Sequence, residues 1–312
     1  MRRPASTWMR VTVSVASIAL IASCSACEAR VYGAPGDHAR GGPQLTVVAP
    51  QAPAETPAAP PAQAAPSFTG LQERADQAVA AAADQGADVG MMVLDRETGE
   101  RVAAGKTSGW ATASVVKLFI ADDLLLREPN LSPEDRKSLD VMLRSSDDSA
   151  AEVFWNRGGG SAIVNRVTAR YGLTETSPPG NGRWFNTITS AADLIRYYDM
   201  MLAGTGGLPP ERASIILNNL AASTPTAPDG TQPGGIYPQR FGLPEGLPGD
   251  RVAVKQGWMC CINSDWMHLS TGVVGLDRRY IMVIYALQPV GAEAARATIT
   301  EAVRAIFPMG RI

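Results

Sequence analysis

Histidine is almost missing from this chain: His38 and His268 are the two among 312 residues. A Ser-His-Asp or Cys-His catalytic set would rest on His268 alone, and zinc would find few ligands. Hydrolytic chemistry therefore calls for a base other than histidine, and no metal or other cofactor is expected. His268 falls in a predicted strand, where a position without a catalytic task is the plainer reading. Lysine is nearly as scarce. Of 28 basic residues, only Lys106, Lys117, Lys137 and Lys255 are lysine, and arginine is the cation elsewhere. Arginine cannot give up its proton in a protein, whereas a buried lysine can. A retained lysine thus marks a place where a deprotonatable amine is useful, although chance explains one or two of the four equally well.

Long apolar runs are also lacking. No stretch reaches the roughly 20 apolar residues that a membrane-spanning helix needs. There is no basic run, and the net charge of −2 speaks against a nucleic-acid partner. Cysteine is limited to Cys24, Cys27, Cys260 and Cys261. Cys260 and Cys261 could bridge each other, one could reach Cys27, or the pair could be buried thiols.

What is present begins with Arg2, Arg3 and Arg10, followed by the short apolar run Val11 to Ala22. A charged start, a short apolar run and small residues at its end make a secretory signal peptide over residues 1–23. Ile21-Ala22-Ser23-Cys24 resembles a bacterial lipobox, so Cys24 is the expected lipidation site; an ordinary signal peptide with an incidental cysteine is the alternative. The expected location is the outer, extracytoplasmic face of the cell membrane, held by lipid. Residues 24–66 are rich in Pro, Ala and Gly and bury too little apolar surface to offset ordering, which reads as a disordered tether. From residue 67 on, the composition is that of a folded domain.

Lys117 stands in Ser114-Val115-Val116-Lys117, at the head of a run with helical spacing in which Val115, Leu118, Phe119 and Leu124 to Leu126 share a face. Ser114 then sits in the first turn with Lys117 on the same face. A neutral amine there can take the serine proton, and the helix end favours a developing oxyanion. On the tetrapeptide alone, a serine cap beside a solvated lysine is the simpler reading. Ser145-Ser146-Asp147-Asp148-Ser149 lies between a predicted helix over 132–144 and another over 150–156, where Asp147 or Asp148 suits a helix cap. Val252 to Trp258 alternates as a strand, and Gly257 within it marks close approach of another backbone or a ligand.

Ser-x-x-Lys at 114–117, Ser146-Asp147-Asp148, and Lys255-Gln256-Gly257, in that order, resemble the penicillin-recognising serine hydrolases, which include class A β-lactamases and D,D-peptidases. The resemblance runs from about Phe68 to Phe307. Asp88 to Asp95 with Thr98-Gly99 looks like the first strand and hairpin of that fold. Gln239 to Pro244 looks like the segment before the Lys-x-Gly strand, Arg278 to Leu287 like the final strand, and Glu293 to Phe307 like the last helix. Within the family the chain is similar to alanine-rich actinobacterial lipoproteins.

The expected fold is α+β: a five-stranded antiparallel sheet flanked by terminal helices, plus an all-α lobe. Residues 67–126 and 245–312 form the α/β lobe and residues 127–244 the helical one. The resemblance implies that Ser114 is the nucleophile, Lys117 its base, Ser146 a proton relay and Lys255 the partner of that serine. The N–H groups of Ser114 and Trp258 would form an oxyanion hole, with Asp148, Gln256 and Gly257 beside the substrate. A β-lactam, a D-alanine-ended cell-wall peptide or another acyl compound would be the substrate.

Three departures qualify the implication. The deacylating Glu of class A enzymes has no counterpart in residues 172–189, where Glu175 is the carboxylate and Pro178-Pro179-Gly180 and Arg183-Trp184-Phe185 stand. Asp148 replaces the usual Asn and would raise the pKa of Lys117, while Lys255 would lower it. Gln256 replaces the Ser or Thr that holds a substrate carboxylate. Two functions fit: an acyl-enzyme serine hydrolase with poor or absent β-lactamase turnover, or an impaired envelope-binding module using the same groove.

Overall fold

The computed structural model describes residues 68–230 and 234–312. Cys24, Cys27 and the proposed signal and tether lie outside the described residues. The alanine-rich sequence of Leu71–Ala83 (α1) is a strong helix former, and Leu71, Ala75, Ala78 and Ala82 bury one stripe. Strands Asp88–Asp95 (β1), Arg101–Gly105 (β2) and Ser108–Ala111 (β3) follow, then a 3₁₀ turn over Ala113–Val116 that runs into Lys117–Arg127 (α2).

The helical region holds Pro133–Arg144 (α3), Asp148–Arg157 (α4), Ser161–Tyr171 (α5), the short strand Ile188–Ser190 (β4), Ala191–Ala203 (α6) and Pro210–Ala221 (α7). Ser132 caps α3 by accepting from the Asp135 N–H, with Pro133 at the first helical position. Asp147 caps α4 by accepting from the Ala150 N–H at 2.7 Å. The cap thus falls to Asp147, which leaves Asp148 free for another task.

Strands Thr226–Pro228 (β5) and Ile236–Pro238 (β6) pair with each other, the single turn Leu243–Gly246 (α8) follows, and Val252–Ile262 (β7), Asp265–Val274 (β8), Tyr280–Gln288 (β9) and Ala292–Ile306 (α9) complete the chain. The main sheet is antiparallel, in the order β2-β1-β9-β8-β7. Strands from both ends of the sequence therefore meet at its centre, with Met91 opposite Ile284. One face packs on α1 and α9 through Val89, Met91, Val93, Met282 and Ile284. The other packs on the helical region through Leu269, Val273, Ile281, Val283 and Tyr285. Burial on both faces explains why Tyr280 to Leu287 reads as a continuous apolar run rather than an alternating one.

The expected all-α lobe is not purely helical. β4, β5 and β6 lie inside the span 127–244, where β5 pairs with β6 and β4 pairs with β3 from outside it. The β3–β4 pair ties the segment ahead of the Ala113–Val116 turn to the loop that carries Trp184 and Phe185, so it fixes both walls of one pocket. Gly109, Trp110 and Ala111 form the end of β3.

Candidate active site

The 3₁₀ turn presents Ser114, and Lys117 stands at the first residue of α2. Lys117 is completely buried, and its Nζ donates to Ser114 Oγ at 2.9 Å. The same nitrogen lies 2.6 Å from the Ser146 carbonyl, 3.2 Å from Ser146 Oγ and 2.5 Å from Asp148 Oδ1. The solvated lysine that the tetrapeptide alone suggested is therefore not what folds. Lys255, on the neighbouring β7, donates to Ser146 Oγ at 2.8 Å and to the Gln256 carbonyl at 2.9 Å. Two buried amines from opposite ends of the sequence thus share one serine hydroxyl.

Burial drives Lys117 below the ordinary lysine range, and the Asp148 carboxylate opposes that fall. Lys255 is pushed down further, first by burial and then by the nearby Lys117 charge. The expected contest over Lys117 is thus decided by desolvation, with Asp148 as the counterweight. Ala113 and Ser146 both take left-handed backbone conformations, with φ of 43° and 57°. Such conformations are costly for residues with side chains and cluster where a structure must hold a group in place.

Gly257 meets its expectation of close approach. A methyl group built on it would lie 2.6 Å from the Thr112 carbonyl oxygen and 3.3 Å from the Ser114 nitrogen. Trp258 follows and stacks on Tyr237, with ring centroids 4.7 Å apart. Gln256 departs from its expected place beside the substrate. Its side-chain amide donates to the carbonyls of Gln239 and Phe241, at 3.1 and 2.6 Å, so it braces the segment behind the strand. It is not among the residues lining the pocket.

That pocket, about 160 Å³, is lined by Ser114, Asp148, Trp184, Phe185, Trp258 and Met259, with Ala113, Gly230 and Cys260 at its edges. Trp184 and Phe185 occupy the wall where a deacylating carboxylate was sought. Trp184 is held by its indole N–H donating to Glu152 at 3.1 Å, and Lys117 Nζ lies 4.8 Å from its ring centroid. Glu175 is exposed and does not line the pocket; its backbone N–H donates to Asp193. The aromatic wall was the part that sequence reasoning missed, and its signal was the Arg183-Trp184-Phe185 triplet in place of the loop Glu. Cys260 and Cys261 are disulfide-bonded to each other and exposed, which excludes the buried-thiol reading. His268 is buried away from the pocket lining, with Nε2 2.6 Å from the Tyr237 hydroxyl. Among the described residues there is no cluster of metal-ligating side chains.

Known proteins match this chain and its fold. The model of the β-lactamase enzyme family matches residues 128–308, a span that includes Ser146 and Lys255 and begins after Lys117. The chain is 54% identical to the protein named lipoprotein LppW in Mycobacterium bovis and, equally, in Mycobacterium tuberculosis, over 96% of each chain. Among solved structures, PBP-A in an acyl-enzyme complex with penicillin G aligns with a TM-score of 0.61 at 18% identity, covering 78% of this chain and 96% of that one. A β-lactamase from Chitinophaga pinensis aligns with a TM-score of 0.60 at 15% identity, covering 78% of this chain and 100% of that one. At those identities the structural likeness speaks to the fold alone.

Proposed function

Because the chain belongs to the β-lactamase enzyme family, we propose that it is an exported lipoprotein whose fold works as an acyl-enzyme serine hydrolase. One observation carries the reading: a buried lysine amine 2.9 Å from the hydroxyl of Ser114, at the mouth of a pocket. Neutral Lys117 accepts the Ser114 proton as Oγ attacks an acyl carbon. Ser146, between Lys117 and Lys255, returns a proton to the leaving group. The Ser114 and Trp258 backbone N–H groups receive the oxyanion, a contribution of roughly 3 kcal/mol per donor in other enzymes.

Trp184 and Phe185 stand where a water-activating carboxylate would be needed, which supports slow hydrolysis of the acyl-enzyme and poor β-lactamase turnover. The Lys117–Asp148 ion pair supports a second reading, a binding module that keeps the groove and has lost acyl transfer. Lipid on Cys24, in keeping with a relative named as a lipoprotein, would hold the domain at the membrane, and the signal-like start places it on the outer face in this proposal. Cell-wall peptides and other acyl compounds pass there.

The deciding experiment treats the full chain with a fluorophosphonate and with a reporter penicillin and measures intact mass. A stable adduct on the wild type, absent in Ser114→Ala, supports the hydrolase. No adduct from either reagent leaves the binding module.

A further inference from the structure

Among the described residues lining the pocket, Asp148 is the one that carries a formal charge. Lys117 and Lys255 lie behind the wall, 0% and 1% exposed, whereas the Asp148 side chain is 49% exposed. Gln256, where a hydroxyl for a substrate carboxylate was expected, is committed to main-chain carbonyls, and among the described residues lining the pocket no side chain offers a cation. Trp184, Phe185 and Trp258 line the same pocket, and Trp184 already has Lys117 Nζ 4.8 Å from its ring centroid; aromatic rings attract cations within about 6 Å. The pocket's charge and its walls both favour a positive group over a negative one.

Distance sets where that group must be. Asp148 Oδ1 and Ser114 Oγ both contact Lys117 Nζ, at 2.5 and 2.9 Å. The carboxylate is therefore within two hydrogen-bond lengths of the nucleophile. Asp148 Oδ2 faces Gly230, where an added methyl group would lie 2.5 Å away, so glycine keeps that oxygen reachable.

We propose that the acyl group this site accepts carries a free ammonium on the carbon next to its carbonyl, or one carbon further out, held by Asp148 against the aromatic wall. The substrate class is an aminoacyl ester, thioester or amide, including a peptide's free amino end. The proposal rests on the hydrolase reading for its chemistry. It also joins recognition to activation. Before substrate arrives, Asp148 stabilises the proton on Lys117. The incoming ammonium replaces Lys117 as its counter-ion, and Lys117 releases its proton to the pocket by way of the Ser114 hydroxyl. The neutral amine then takes the Ser114 proton as the Oγ–carbon bond forms. That proton passes through Ser146 to the leaving group as the acyl–leaving-group bond breaks.

The test compares alanyl and β-alanyl benzyl thioesters with the isosteric isobutyryl and butyryl thioesters, in which a methyl group replaces the ammonium. Rates of Ser114 acylation are read by intact mass on the full chain. The ammonium esters are expected to react about tenfold or more faster than their isosteres. Asp148→Asn should reduce that ratio to near unity, and Gly230→Ala should reduce it too. Equal rates in the wild type, or a preference that survives Asp148→Asn, would overturn the proposal. A parallel measurement separates this failure from failure of the hydrolase reading. In Ser114→Ala, tryptophan fluorescence should respond saturably to alaninamide and not to isobutyramide, and Asp148→Asn should abolish the response. That arm needs no acylation. Indistinguishable responses there refute cation recognition, whereas missing fluorophosphonate labelling of the wild type refutes the hydrolase.

Discussion

Lys117 has four oxygens within hydrogen-bond distance, one more than the donors of an ammonium. Loss of a proton reverses the 2.9 Å contact, so that Ser114 donates to a nitrogen lone pair and two N–H donors remain for the other three oxygens. The residues that make this change were legible because lysine is scarce in the sequence; the degree of burial was not, because it depends on what packs over the amine. Asp122 and Asp123 were hidden more completely. They lie inside what reads as an apolar helix, yet both are buried. Asp122 pairs with Arg170 and accepts from the Tyr171 hydroxyl at 2.5 Å, and Asp123 accepts from Arg127 and Arg166. Those partners come from α2 itself and from α5. Burial pushes the Asp122 carboxyl up, and Arg170 and Tyr171 pull it back. Asp122→Asn leaves the Arg170 charge without its partner, and the expected loss is about 3 kcal/mol in urea unfolding. A loss under about 1 kcal/mol would show that the pair contributes little net stability.

The elements divide by length. β1, β7, β8, β9, α3 and α9 were readable because apolar periodicity or a continuous apolar run persists through them. β3, β4, β5 and β6 span three or four residues each, too few for a period, and only tertiary pairing reveals them. β7 carries the clearest expectation at this scale. Gly257→Ala sets a methyl group against the Thr112 carbonyl and must force β7 away from the Ser114 turn. Fluorophosphonate labelling should fall by about tenfold or more, since small displacements of reacting groups are costly. An unchanged labelling rate would mean the turn yields freely.

β8 supplies a pH expectation. Burial, aided by the Arg296 charge, lowers His268 from 6.5 to about 3. The unfolded chain takes up a proton at that position below about pH 6.5, while the folded one stays neutral. This contribution to stability is therefore complete above that pH and is lost as pH falls toward 3, with a slope approaching 1.4 kcal/mol per unit at most. Thermal melts between pH 7 and pH 4 should show a shallower acid slope in His268→Phe than in the wild type. Parallel slopes would exclude His268 as the source.

At the scale of the whole molecule, the order of strands and helices in the sequence pointed to the α+β fold, with both ends contributing to one sheet. The motif order pointed to the site. The sequence carried the Arg183-Trp184-Phe185 triplet but not its place as an aromatic wall, which depends on the tertiary pairing of β3 with β4 beside that loop. Cys24 lies outside the described residues, so its proposed role is tested in cells. Cys24→Ala should move the protein from the membrane fraction to the soluble one, and continued membrane association would reject the lipid anchor. Assembly of the sheet has a last consequence. Lys255 stands 109 residues from the Ser146 hydroxyl it meets, on an edge strand that joins β1 only through β8 and β9. A chain whose later strands have not yet formed has its serine and no second amine to set beside it. On the proposed hydrolase reading, reactivity therefore waits until β7 docks, and the fold acts as a timer against premature acylation.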